Sequence, residues 1–93
     1  MTLLVDRMGA VEVRRFRGDK VTVRGGAPLP PGTRTALRQD EKDRPLAEGK
    51  VTSVDAVGDS EATWDVDLKL FSPSKRAKAL LTSLAESSPN QDT

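Results

Sequence analysis

The chain has 93 residues, with 15 Lys and Arg against 14 Asp and Glu, 35% hydrophobic residues and neither cysteine nor histidine. That length builds one core. A domain so small buries only about 60% of the surface its unfolded chain exposes, so a partner or self-association is expected to add to its stability. Without Cys or His, disulfides, thiol nucleophiles, thiolate or imidazole metal sites and histidine-mediated proton transfer are excluded.

The N-terminal run MTLLVDRMGA lacks the apolar segment and cleavage site of a leader, and no stretch is apolar enough to span a bilayer. A cytoplasmic location without membrane insertion is therefore expected. Charge is unevenly distributed. Residues 1–38 carry eight cations against three anions, residues 39–67 three against nine, and the remainder four against two. The chain is strongly dipolar along its length, which solvated strand edges and loops explain better than a docking face does.

The first third reads as short strands. Thr2–Asp6 is an apolar stub. Ala10–Phe16 and Lys20–Arg24 alternate, with Val11, Val13, Val21 and Val23 directed inward, and Gly9 and Gly18-Asp19 mark the turns. Gly25–Gly32 is a surface connection rich in proline and glycine, and its Pro31-Gly32 pair suits the centre of a type II turn. Thr33–Gln39 is a further strand, and Asp40–Arg44 is a charged loop or hairpin tip.

Leu46–Val57 is a long strand in which Val51 and Val54 stand an odd number of residues apart, so a bulge or a change of face is expected inside it. Gly58-Asp59-Ser60 turns the chain. Ala62–Leu70 alternates most cleanly, with Trp64, Val66, Leu68 and Leu70 on one face and Asp65, Asp67 and Lys69 on the other. A helix is expected over about 73–86, with Ser72 as its N-cap and Pro73 in its first position. Ala77, Leu80, Leu81 and Leu84 form its apolar stripe, and residues 87–93 form a polar tail. The fold expected is a single mainly β domain over residues 1–86, a small antiparallel barrel of about six strands with one C-terminal helix.

The run APLPPGTRTALRQ, Ala27–Gln39, followed by EGKVTSVDAVGDSEATWDVDLKLFSPSKRAKALLTSL, Glu48–Leu84, resembles a PilZ domain. A proline-glycine turn introduces a strand, a long G-x-V strand follows, the last strand ends in an aromatic, and a serine-proline step opens the helix. The resemblance implies a six-stranded barrel with a C-terminal helix, a role in bacterial signalling and, in typical members, binding of cyclic di-GMP. Such members use an R-x-x-x-R motif and a D/N-x-S/A-x-x-G motif on an adjacent strand. Here Arg15-Phe16-Arg17-Gly18-Asp19-Lys20 stands where the second motif belongs. The R-x-x-x-R spacing occurs only at Arg34 and Arg38, within the strand after the turn, where two arginines share one exposed face.

The residues singled out for partner or anion binding are Arg14, Arg15, Arg17 and Lys20, the most basic stretch, with Phe16 available for stacking. The competing reading is a charged strand protected against edge-to-edge association. Asp65 and Asp67 read as outward charges on a half-exposed strand. The expected function is a non-enzymatic, PilZ-like regulatory adaptor acting through protein–protein contacts, with no cofactor and no metal. Two alternatives stand beside it: a cyclic di-GMP sensor with a rearranged arginine site, and a small barrel binding nucleic acid through its basic N-terminal third.

Overall fold

The computed structural model describes residues 3–39, 44–58 and 62–86. In chain order these form β1 Leu3–Val5, β2 Gly9–Arg17, β3 Lys20–Gly25, β4 Arg34–Arg38, β5 Ala47–Ala56, β6 Trp64–Phe71 and the helix α1 Lys75–Glu86. The strands close into an antiparallel barrel in the order β1-β2-β3-β6-β5-β4, with β4 pairing back onto β1. The chain is thus the six-stranded barrel with a C-terminal helix that its alternation implies. Of the charged tip only Arg44, and of the following turn only Gly58, lies among the described residues; the 87–93 tail lies outside them. No described helix is long and apolar enough to cross a membrane.

Period-two alternation builds the interior. Val11 and Val13 of β2, Val21 and Val23 of β3, and Val66, Leu68 and Leu70 of β6 are all buried. Each such side chain contributes roughly 1.5–3 kcal/mol on burial. Trp64 packs partly buried against the same cluster. Thr35 is the buried polar residue, and its hydroxyl donates to the Asp6 carbonyl at 2.9 Å, so its burial leaves no donor unmatched.

Gly49 faces inward between Thr35 and Leu70. A Cβ there would lie 2.6 Å from the Lys69 carbonyl oxygen, so the approach of β5 to β6 depends on glycine.

Two bulges set the phase of the strands. In β5, Val51 pairs with Leu68 and Ser53 with Asp67, leaving Thr52 as the extra residue; this is the irregularity expected from the Val51–Val54 spacing. In β2, Val13 pairs with Val23 and Arg15 with Thr22, so Arg14 is extra. Simple alternation does not reveal this second bulge. Its consequence is that Phe16, opposite Val21, turns inward and packs on the core.

Three further details depart from the sequence expectations. The Pro31-Gly32 turn forms as expected, with Thr33 N–H donating to Pro30 O at 3.1 Å and Gly32 at φ +94°. The connection around it is not wholly superficial, however, because Leu29 is buried in the core. The helix cap also differs: Ser72 adopts φ +46°, and Ser74 Oγ accepts the Ala77 N–H at 3.1 Å. Ser74 is therefore the N-cap, two residues later than expected, since the chain leaves β6 through a left-handed residue before it can begin a helix. Within α1, Ala77 and Leu81 join the barrel core and Leu84 and Ala85 pack against it, while Leu80 is only half-buried. The helix rests chiefly on β2 and extends the barrel interior.

Candidate anion-binding face

The bulge at Arg14 decides which arginines face outward. Beyond it, Arg15 and Arg17 are exposed on the outer side of β2 while Phe16 points in. Gly18 and Asp19 then make a two-residue turn, with Gly18 at φ +64°, that brings Lys20 directly opposite Arg17. Three of the four cations singled out in the sequence thus meet. Arg15, Arg17 and Lys20, with Thr22, Thr52 and Asp67, line one open depression of about 280 Å³ on the outside of the barrel.

Arg14 is separated from this group. Its side chain retains 12% of its exposure, and its guanidinium is bonded to the Glu12 carboxylate. Phe16, proposed for stacking, is taken into the core and is not available there. Thr22 and Thr52 were missed by sequence reasoning, and Asp67 was read there only as an outward charge. Thr22 and Asp67 each sit between inward apolar residues, so their outward direction was legible. That they are neighbours was not, because β3 and β6 are adjacent only in the folded barrel.

The floor of the depression is hydrogen-bonded. Asp67 accepts from Thr22 Oγ1 through Oδ1 at 2.6 Å and from Ser53 Oγ through Oδ2 at 2.6 Å. Both carboxylate oxygens are thereby engaged by neutral donors. Among the described residues, no ion pair holds Arg15, Arg17 or Lys20.

Two other arginines on the barrel are paired. Arg24 grips Asp65 through two bonds, Nε to Oδ1 at 2.8 Å and Nη2 to Oδ2 at 3.1 Å. Arg38 holds Asp6 in the same way, at 2.9 and 3.3 Å. The hydrogen bond that Arg24 donates to Asp65 raises the Arg24 pKa, and the one that Arg38 donates to Asp6 raises the Arg38 pKa, each opposed by desolvation. A raised folded-state pKa gives stability that is lost only as pH climbs through that value. Both lie above the ordinary arginine range, so these pairs impose no pH dependence near neutrality.

Among the described residues, no three His, Cys, Asp or Glu side chains converge to hold a metal. The depression offers three cationic donors beside an Asp67 to which the Thr22 and Thr52 hydroxyls already donate, and the three cations suit recognition of an anion. Comparison with protein families, with curated proteins and with solved structures found no match to this chain.

Proposed function

We propose that the chain is a PilZ-like, non-enzymatic regulatory module that works by engaging an anionic partner across the outer face of β2, β3 and β6. The observation that carries this reading is the convergence of Arg15, Arg17 and Lys20 around one depression, none of the three ion-paired among the described residues although Asp67 also lines it. The barrel-then-helix order supports the family resemblance. The adaptor expectation is kept in the form that the site chemistry supports: the partner carries negative charge. A cytoplasmic location belongs to the same reading.

Cyclic di-GMP binding is set aside in this reading, because Arg15–Lys20 stands in place of the motif that offers typical members their second set of polar groups.

Two measurements test the proposal. On immobilised heparin, a generic polyanion, the wild-type protein should be retained at low salt, and the triple variant Arg15→Glu/Arg17→Glu/Lys20→Glu should elute markedly earlier. Wild-type protein passing through unretained would overturn the reading. Calorimetric titration with cyclic di-GMP should be flat; micromolar or tighter binding would make the module a nucleotide sensor instead.

A further inference from the structure

The strand register places a second, longer feature beside the depression. Arg17 of β2 stands opposite Lys20 of β3, Lys20 opposite Lys69 of β6, Lys69 opposite Lys50 of β5, and Lys50 opposite Arg34 of β4. Directly opposed residues share a face, and all five side chains are exposed. Five cations therefore form one transverse row over five consecutive strands of a six-stranded barrel. Among the described residues none of the five is ion-paired. Like charges directly opposite one another destabilise a sheet, so folding alone gives no reason for such a row.

The neighbouring rows have a different character. Next to the row lies Arg15-Thr22-Asp67-Ser53, in which the Thr22 and Ser53 hydroxyls donate to Asp67. On the other side, Phe71 stands two residues beyond Lys69 on β6 and opposite Glu48. It is 46% exposed, the one large hydrophobic so exposed among the described residues. An unshielded aromatic thus flanks the cations.

We propose that this row is a binding track for single-stranded nucleic acid, with phosphates running along Arg17, Lys20, Lys69, Lys50 and Arg34 and a base stacked on Phe71. The inference rests on the reading that the outer cationic face is the binding face, and it extends that face to residues outside the depression.

The geometry distinguishes this ligand from others. At a strand separation of about 4.8 Å the row is roughly 19 Å long, and it bends around the barrel instead of lying in a plane. A flat membrane surface meets only part of such a row. A duplex, with a persistence length of about 50 nm, does not follow the contour of a body measuring 36 × 29 × 24 Å. A mononucleotide or dinucleotide leaves most of the row uncompensated. A single strand bends, carries a charge at every nucleotide and brings bases for the aromatic; an acidic peptide offers the charge without the stacking.

The test is fluorescence anisotropy with a labelled oligothymidylate of about 15 nucleotides, a length that suits a small barrel site. Wild-type protein should bind, with log K falling against log salt with a slope of about −3.5 for five phosphate contacts. The double variant Lys50→Gln/Lys69→Gln should flatten that slope by about 1.4 and weaken binding at low salt. Phe71→Ala should weaken binding about tenfold with the slope unchanged. Circular dichroism establishes that each variant is folded.

Competition separates the remaining outcomes. Polyglutamate displacing the oligonucleotide at equal charge, together with indifference to Phe71→Ala, would overturn the nucleic-acid inference and leave the proposed anionic-partner function standing. Loss on Arg15→Gln with no effect of Lys50→Gln/Lys69→Gln would likewise move the contact into the depression and overturn the row. Preferential binding to phosphatidylserine vesicles would replace nucleic acid with a membrane surface. Folded protein that binds neither oligonucleotide, polyglutamate, vesicles nor heparin would overturn both proposals together.

Discussion

Gly49 is the position where a single methyl group should do most damage. Its Cβ would sit 2.6 Å from the Lys69 carbonyl oxygen, 3.2 Å from the carbonyl carbon and 3.1 Å from Leu70 Cδ2. Ordinary contact begins at 3.4 Å, so the opposing backbone must retreat by 0.8 Å, the difference from 2.6 Å. The obstructing atom belongs to the β5–β6 ladder and cannot rotate away as a side-chain tip would. Overpacking of this kind costs about 1–3 kcal/mol, and a weakened ladder hydrogen bond adds about 1 kcal/mol. Gly49→Ala should therefore destabilise the barrel by about 2–4 kcal/mol. In a domain of this size that lowers Tm by on the order of 10–25 °C.

The assay is thermal and urea unfolding followed by circular dichroism, with Gly26→Ala as the matched control. A Cβ at Gly26 meets nothing closer than the Ala62 carbonyl at 3.6 Å, and its φ is not positive. That variant should be neutral or stabilised by up to about 1 kcal/mol through the lower entropy of its unfolded chain. A Gly49→Ala protein melting within about 3 °C of wild type would refute the account of the β5–β6 approach. Because Lys50 and Lys69 stand on the outer side of that same ladder, the experiment also tests the framework of the cation row.

Three other outcomes are expected. Ser74→Ala should cost about 1 kcal/mol by removing the cap on Ala77 N–H, whereas Ser72→Ala should leave helix stability unchanged; the reverse order in denaturant midpoints would restore Ser72 as the cap. Leu29→Ala should cost about 2–5 kcal/mol in urea unfolding, and a loss below 1 kcal/mol would mean that the proline-glycine connection is superficial after all. Lys69→Gln, by removing two like-charge oppositions, should raise Tm by a few degrees at low salt. The gain should shrink at about 0.5 M NaCl, where the Debye length is only a few ångströms. Absence of a low-salt gain would show that the row is not under electrostatic strain.

Local pattern by itself determined the strands, their inward faces and the small antiparallel barrel. Val21 and Val23, or Val66, Leu68 and Leu70, can bury only if the intervening Thr22 and Asp67 face out, and that constraint is complete within a few residues. The Pro31-Gly32 turn and the β5 bulge were legible for the same reason: each follows from backbone restrictions or side-chain phase inside one segment. The tertiary structure decided what depends on a partner strand. The extra residue at Arg14 is defined only by Thr22 and Val23 across the ladder, and it alone turned Phe16 inward and Arg15 and Arg17 outward. Closing the barrel placed β3 beside β6, and β6 beside β5. Cations at positions 17, 20, 34, 50 and 69, which look unrelated along the chain, became one row because register is fixed by non-local hydrogen bonding, which no alternation within a strand encodes.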